Sequence, residues 1–317
     1  DLNDQSFGLG CHRAALCHVL DSALRDVPHI RLMDTTVIDL VQRGDEVILN
    51  LQPGASLDRD TEAHIDTMAF DAVVVANGSN SSLRPPSLVR YDRQYPWGAM
   101  WAILPIPETL AEPAMQQRYD GCHTMVGILP TGTSPHLADT RLVSLFWSLP
   151  VADMPAWSQP GFDFDGWRAG VADLWPSLAS LLDTMPGPQA LTPAVYRDVI
   201  MRRWAHGRIV VIGDAAHAMS PQLGQGANMA LVDAHALADA VAGADNWDDA
   251  WAHYHEQRTG PIRFYQTMSW ALTPLFQSHS RTGGWLRDMA FPVMNNLPWV
   301  RGQMAKTVAG LKRGLMT

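Results

Sequence analysis

One stretch constrains the fold more than any other: RIVVIGDAAHAMSPQLGQGANMALVDAHALADAV, residues 208–241. It opens on RIVVIGD, a short β-branched apolar run that is typical of a buried parallel strand. Gly224 and Gly226 then allow positive φ angles and a close approach of a ligand to the backbone. Small and apolar residues come next at helical spacing, which predicts a helix over residues 227–241 that ends at Gly243. The stretch therefore predicts a strand, a glycine turn and a helix whose N-terminus faces a ligand.

Asp214 stands at the carboxyl end of the predicted strand, where open α/β sheets bind their ligands. A carboxylate there can accept hydrogen bonds from sugar or polyol hydroxyls. The helix start stabilises negative charge, either a phosphate or the edge of a reduced flavin. A plain structural turn explains Gly224 and Gly226, but it does not require Asp214, Pro221 and Asn228 as well.

The remaining sequence alternates between two patterns. Residues 12–25 are spaced as an amphipathic helix, a hairpin is predicted at Arg43-Gly44-Asp45, and FDAVVVANGS is a second buried-strand pattern. Three candidate strands, WGAMWAILPI, CHTMVGILPT and RLVSLFWSL, then indicate a mostly antiparallel sheet. Parallel-sheet elements thus flank an antiparallel insertion.

Helices are predicted beyond the strands of the insertion. GWRAGVADLWPSLASLLDTM is typical of a helix broken near Pro176. From Asp245 onward helices dominate, and four prolines are expected to interrupt them: Pro261, Pro274, Pro292 and Pro298.

Composition excludes several classes of protein. The net charge of −9 argues against a nucleic-acid partner, and no apolar run is long enough to predict a transmembrane helix. Three cysteines without a C-x-x-C pair indicate a reducing compartment, so we expect a cytoplasmic protein. Seven cations against Asp288 give residues 261–317 a net charge of +6, which leaves −15 elsewhere. This basic, tryptophan-containing region predicts either a peripheral membrane contact or helices that pack on the acidic body.

The string GDAAHAMSPQLGQGANMALVDAHALA resembles the second flavin motif of the class A flavoprotein monooxygenases, the para-hydroxybenzoate hydroxylase-like family. The resemblance implies that Asp214 contacts the ribityl chain of FAD, that Gly213 belongs to the cofactor-binding residues, and that Pro221 lies beside the flavin ring near the substrate. It also assigns the pyrimidine edge of the flavin to five residues: Gly224, Gln225, Gly226, Ala227 and Asn228.

Two further stretches resemble motifs of the same family. CHRAALCHVLDSAL resembles an Arg-x-x-Leu helix, which gives Arg13 a contact with the cofactor. FDAVVVANGSNSSLR resembles the middle motif, in which Gly78 and Arg84 fit but Asn77 replaces the expected aspartate. Val37 matches a strand position whose backbone touches the adenine side.

The family resemblance implies an α/β fold with a discontinuous FAD-binding domain, a Rossmann-like parallel sheet into which a mostly antiparallel substrate domain is inserted. The expected divisions are residues 1–90 and 201–245 for the FAD-binding domain, 91–200 for the substrate domain and 246–317 for C-terminal helices. Family members begin with G-x-G-x-x-G; Gly8-Leu9-Gly10 lacks the third glycine, so we expect that unit to precede Asp1.

The implied activity is an NAD(P)H-consuming, FAD-dependent monooxygenase, a monomer or homodimer, that hydroxylates an aromatic or other apolar molecule with O2 through a flavin C4a-hydroperoxide. The expected substrate pocket lies on the antiparallel sheet facing Pro221, although its residues also fit a simple core: Trp97, Met100, Trp101, Met125 and Phe146. His217 either touches the flavin loop in a catalytic role or is a structural or exposed residue. No metal site is predicted.

Two alternatives stay open. A flavin-dependent halogenase of the same fold carries a Trp-x-Trp-x-Ile-Pro string and a tunnel lysine, whereas here Trp97 and Trp101 are four apart and the only lysines are Lys306 and Lys312. The other alternative is a non-catalytic flavin-fold remnant that acts as a binding module.

Overall fold

A computed structural model of the chain describes residues 8–53, 67–110 and 114–314. The chain divides into two compact units. The first unit comprises Asp1–His29, Tyr95–Val195 and Ala271–Ala309, and the second comprises Ile30–Gln94, Tyr196–Trp270 and Gly310–Thr317. Each unit is therefore assembled from three separate segments of sequence.

Two small sheets belong to the second unit. Strands β1 (Thr35–Arg43), β2 (Glu46–Pro53) and β3 (Thr67–Phe70) form an antiparallel meander, which confirms the predicted hairpin at Gly44. In the other sheet, β4 (Val73–Val75) runs parallel to β11 (Ile209–Val211), with β10 (Ala205–His206) on the far side of β11. The two buried-strand patterns thus pair directly, although they are far apart in the sequence.

Helix α5 (Gly226–Ala242) comes after β11 and the short helix α4 (Asp214–His217). Its observed bounds lie within one residue of the prediction, with Gly243 as the C-cap. The core of the unit is formed by β11 and the inward side of α5, where Val210 and Val211 are fully buried.

Helix α6 (Trp247–Phe276) corrects one prediction, because Pro261 and Pro274 lie inside it without ending it. A proline removes one backbone hydrogen bond. Tyr254, Ile262 and Tyr265, at helical spacing, are buried on this helix within the second unit. Burial of large side chains along one stripe favours helix strongly enough to override this local signal.

A five-stranded sheet in the order β6-β7-β8-β5-β9 lies mainly in the first unit, while β5 begins and β9 ends in segments of the second. These strands are β5 (Val89–Pro105), β6 (Gln116–Asp120), β7 (Thr124–Ser134), β8 (Leu137–Pro150) and β9 (Thr192–Met201). The β6–β7, β7–β8 and β5–β8 pairs are antiparallel, as the three apolar runs predicted. Helices α2 (Phe164–Leu174) and α3 (Ala179–Leu182), separated at Pro176 as predicted, bury apolar side chains in one core with this sheet.

Three more helices complete the first unit: α1 (Arg13–Ala23), α7 (Arg281–Asn295) and α8 (Pro298–Val308). Pro292 lies inside α7, so of the four prolines expected to interrupt helices only Pro298 stands at a helix boundary. It occupies the first turn, where its missing N–H costs nothing. The α/β class, the antiparallel sheet and the C-terminal helices are confirmed. None of the helices in the described ranges is long and apolar enough to cross a membrane.

Candidate functional site

The carboxyl ends of β4 and β11 lie side by side. The Ile212 N–H donates to the Val75 carbonyl at 3.0 Å, which extends the parallel pairing to the last residues of both strands. Each strand is followed by a glycine with positive φ, Gly78 at 87° and Gly213 at 59°. Asn77 and Asp214, both exposed, therefore leave the sheet at the same edge. This is the edge at which parallel sheets bind ligands.

Asp214 lies beside the start of α5. A Cβ atom added to Gly226 would lie 3.7 Å from Oδ1 of Asp214, which places the carboxylate within van der Waals distance of the first residue of α5. The first N–H groups of a helix have no partner within the helix, and no side chain of Gln225 caps α5. A carboxylate acceptor and a set of backbone donors are thus presented together.

The loop between α4 and α5 places its predicted residues along an accessible rim. Pro221, Gly224 and Ala227 are exposed, Gly226 and Asn228 are half-buried, and Gln225 is buried. Gly224 adopts the left-handed conformation, with φ of 63°. The structure therefore brings the residues of the 213–228 motif together around Asp214 and the start of α5.

A buried carboxylate on α5, Asp233, binds the backbone immediately before Asp214. Its Oδ2 accepts from the Gly213 N–H at 2.9 Å and lies 2.5 Å from Nε2 of His217, while Oδ1 accepts from Nε of Arg258 at 2.6 Å. Asp233 itself is 0% exposed. Because a carboxylate only accepts, the His217 nitrogen is the donor. Of the two roles left open for His217, this geometry supports the structural one.

Asp233 remains ionised in this environment. Burial by itself acts to raise the pKa of Asp233, but the hydrogen bond and charge of His217, together with Arg258, outweigh it and hold the pKa below its usual value. Burial also raises the pKa of Tyr254, and the negative charge of Asp233 adds to that effect. The negative charge of Asp233 is therefore buried but compensated by its partners.

Arg84 provides a second cross-link within the same unit. Its guanidinium donates to the carbonyls of Ser79 and Ala215 at 3.1 and 3.0 Å, and to Oδ2 of Asp92 at 2.6 Å. Asp92 also binds Arg197. Burial acts to raise the pKa of Asp92, yet the two arginines lower it overall. Arg84 thus ties the loop after β4 to helix α4.

Sequence reasoning missed Asp233 and Arg258. A signal for Asp233 exists, because helical spacing places it on the same side of α5 as Met229, Ala236 and Leu237, all buried. A carboxylate on an apolar stripe requires a buried partner. Nothing in the sequence shows that the partner comes from α6.

Two of the predicted cofactor contacts lie on other elements, Arg13 on α1 and Val37 on β1. Arg13 is exposed at the first residue of α1, in the first unit, where His12 caps the helix. Val37 is half-buried on β1 and lines an open apolar groove of about 190 Å³ with Ile30, Leu49 and Met68 among others.

Four of the five predicted pocket residues share one face of the five-stranded sheet. Trp101 pairs directly with Phe146, with ring centroids 4.9 Å apart, and strand register places Trp97 and Met125 on the same face. Met100 is not brought together with them. It points to the opposite face, into the core with α2 and α3, because adjacent strand residues alternate.

One polar contact marks the same sheet face. Nε2 of Gln277 donates to Oγ of Ser148 at 2.8 Å, and Ser148 pairs with Met125 in the strand register. Both polar residues are buried. Among the described residues, Oε1 of Gln277 has no hydrogen-bond partner. This face therefore combines aromatic surface with one unused acceptor.

Gly310, near the end of the described chain, packs against the start of α5. A Cβ atom at Gly310, whose φ is 74°, would collide with the side-chain amide of Asn228, so only the glycine backbone fits there. The backbone N–H of Lys312 donates to the Tyr265 hydroxyl at 3.4 Å, and its ammonium lies 5.7 Å from the centre of the Phe264 ring. The segment is thus part of the second unit.

Comparison with known proteins agrees with this geometry. Residues 170–260 match the family described as FAD binding domain. The chain is 37% identical over 134 residues to 2-heptyl-3-hydroxy-4(1H)-quinolone synthase of Pseudomonas aeruginosa, covering 42% of this chain and 32% of that protein. It is 30% identical over 225 residues to kynurenine 3-monooxygenase of Stenotrophomonas maltophilia, covering 67% of this chain and 47% of that protein.

Solved structures share the fold. A probable FAD-dependent monooxygenase from Pseudomonas aeruginosa gives a TM-score of 0.64 at 20% identity, covering 84% of this chain and 71% of that chain. Klebsiella pneumoniae HpxO, complexed with FAD and uric acid, gives a TM-score of 0.63 at 19% identity, covering 86% of this chain and 66% of that chain.

The 213–228 motif thus lies within the residues that match an FAD-binding family, and the fold is of the α/β type. More particularly, the chain is similar to FAD-dependent monooxygenases, as its sequence motifs indicated. The chain spans about a third of the quinolone synthase and about half of the kynurenine monooxygenase.

Proposed function

We propose that the protein is an FAD-dependent, NAD(P)H-consuming monooxygenase that hydroxylates an aromatic or other apolar small molecule with O2. The observation that carries the proposal is the exposed Asp214 carboxylate beside the N-terminus of α5, at the shared edge of β4 and β11. A flavin presents both polyol hydroxyls and an edge that becomes anionic on reduction, and this pair of groups matches both.

Each residue of the motif has a distinct task in this proposal. Asp214 accepts from the ribityl hydroxyls, and the backbone of Gly224, Gly226 and Ala227 approaches the pyrimidine edge without a side chain larger than methyl. The positive end of α5 favours the negative charge that reduction places there. Asp233 fixes Gly213 and so sets the position of Asp214.

When bound, FAD supplies the oxygen-activating chemistry, and NAD(P)H supplies the electrons. The chain's own contribution is to position the reactants and exclude water. Pro221, exposed and conformationally fixed, is proposed to border the ring on the substrate side.

The substrate is proposed to bind on the sheet face formed by Trp97, Trp101, Met125 and Phe146. The names of the relatives point to aromatic compounds, a quinolone and kynurenine. Flat aromatic side chains recognise such rings by stacking and edge contacts. The free acceptor of Gln277 would bind an N–H or O–H group of the substrate.

The same observations weigh against the two alternatives. A halogenase requires a lysine in its tunnel, and Lys312 is instead buried in the second unit against Phe264. A remnant that only binds has no need for an exposed aspartate held in place by a buried ionic network. We propose that the enzyme acts in the cytoplasm, in keeping with its few unpaired cysteines, as a monomer or homodimer.

The test is the flavin content of the full-length protein with Asp214→Ala. Loss of a charged hydrogen-bond acceptor is expected to weaken FAD binding about 10- to 100-fold. Asp239→Ala, an exposed aspartate on α5, is the matched control and should keep wild-type flavin. The wild-type enzyme should oxidise NAD(P)H faster with an aromatic substrate and release a hydroxylated product. Equal flavin affinity in the Asp214 variant would contradict the proposed site.

A further inference from the structure

Helix α7 is oriented with its apolar side outward. Trp285, Met289 and Val293, at four-residue spacing, form one stripe along the helix, and they are 65%, 56% and 65% exposed. Leu286 lies beside the stripe and is also exposed. A surface helix of a globular protein normally turns such a stripe toward the core.

The inward side of α7 is polar and tightly fixed. Arg287, 4% exposed, donates to the carbonyls of Gly121 and Leu275 at 2.9 and 3.1 Å, and its guanidinium lies 4.4 Å from the centre of the Tyr119 ring. Burial raises the pKa of Tyr119 to about 12, so the phenol stays neutral beneath the cation.

Close backbone packing adds to this anchor. A Cβ atom on Gly284 would lie 3.0 Å from the carbonyl carbon of Gly121, so α7 rests directly on the turn before β7. Turning the stripe inward would break the Arg287 contacts and bury its charge without partners, which is costly. The exposed apolar stripe is therefore a fixed property of the folded unit.

The two helices carry exposed cations and few acids. Arg281 at the start of α7, and Arg301 and Lys306 on α8, are exposed, and α8 packs against α7. The one acid on the two helices, Asp288, pairs with Arg287 at 2.7 Å. From residue 271 onward the net charge is +5, against −14 for the rest of the chain.

We propose that the exposed surface of α7 and α8 docks on an anionic lipid membrane. Trp285, Met289 and Val293 would enter the headgroup boundary, where tryptophan is favoured, while the three cations meet anionic headgroups. A second copy of the chain fits less well, because a two-fold contact would bring these cations against their own copies.

This inference does not depend on flavin, so its failure is separate from failure of the proposed function. The test is co-sedimentation of the full-length protein with phosphatidylglycerol/phosphatidylcholine vesicles and with vesicles of phosphatidylcholine alone. The wild type should bind the anionic vesicles at least tenfold more strongly, and 0.5 M salt should remove most of the difference.

Two variants separate the contributions. Arg281→Glu/Arg301→Glu/Lys306→Glu should lower binding more than 100-fold, since each cation near an anionic surface contributes about fivefold. Trp285→Ser/Met289→Ser/Val293→Ser should lower binding to both vesicle types at least tenfold. Arg141→Glu and Leu137→Ser, exposed on the same unit, are the matched controls and should bind as the wild type does.

Flavin content and light-scattering mass are measured on every variant. Equal binding of the wild type to both vesicle types would overturn the proposal. So would a stripe variant that keeps its vesicle binding but changes from dimer to monomer, which would assign the face to a second copy. If the stripe variant does not fold, the charge variant and the salt dependence still decide the question.

Discussion

Replacing Asp233 with asparagine is expected to destabilise the second unit strongly. The substitution keeps the size of the side chain but removes the charge that compensates Arg258, which is 4% exposed and cannot reach bulk water. It also turns an amide N–H₂ toward existing donors, either Arg258 at one oxygen position or Gly213 and His217 at the other. Breaking a buried ion pair from one side typically costs about 3–5 kcal/mol. That is a large part of the ~5–15 kcal/mol that stabilises a domain.

The assay is urea-induced unfolding, with hydrogen exchange of peptides from β11 and α5 to assign the loss to this unit. Asp183→Asn is the control, because Asp183 pairs with Arg168 at the surface and its side chain is 70% exposed. A surface pair contributes about 0–1 kcal/mol. Flavin affinity should fall together with stability in the Asp233 variant, since Gly213 loses its anchor. If the free energy of unfolding stays within about 1 kcal/mol of wild type, the buried network does not hold the site in place.

Three further outcomes are expected from the same structure. Because His217 and Arg258 outweigh burial and lower the pKa of Asp233, its stabilising contribution should be complete above about pH 4 and should disappear as pH falls through the lowered value, as acid unfolding would show. Gly213→Ala should cost about 1–3 kcal/mol in thermal unfolding, because φ of 59° with ψ of −146° is strained for alanine, whereas alanine at the unobstructed helical Gly170 should be neutral or stabilising. Gly127→Ala should displace the Phe146 ring that lies over it and so raise KM for the aromatic substrate. Expressed as a free energy, this rise in KM should exceed the loss in the free energy of unfolding.

The sequence predicted those strands, turns and helices whose formation depends mainly on residues close together in the chain. The β-branched runs predicted β4 and β11, the Arg43-Gly44-Asp45 turn predicted the first hairpin, and the spacing of small residues predicted α5 within one residue. These features arise from side-chain periodicity and turn conformation, which neighbouring residues determine.

Features that join distant residues could not be predicted in this way. Asp233 meets residues 16, 20 and 25 positions away, at the start and end of α4 and on α6, and no spacing rule connects them. Pro261 is a different case, because a proline locally predicts the end of a helix. Burial of side chains along α6 outweighs that effect, and the helix continues through Pro261. Met100 could have been separated from Trp97 and Trp101 by strand alternation alone, because it lies an odd number of residues from both.

The pairing of β4 with β11 has a consequence for the order in which the protein folds as it is made. These strands are joined through about 130 residues, so β11 does not exist until the intervening antiparallel strands have been synthesised. At about 5–20 residues per second, ribosomes leave β4 without its partner for roughly 7–26 s. The hairpins of the first unit, which need only local contacts, can close within that interval. The edge that carries Asn77 and Asp214 is then completed late, and until then the exposed valines of β4 are open to pairing with other chains.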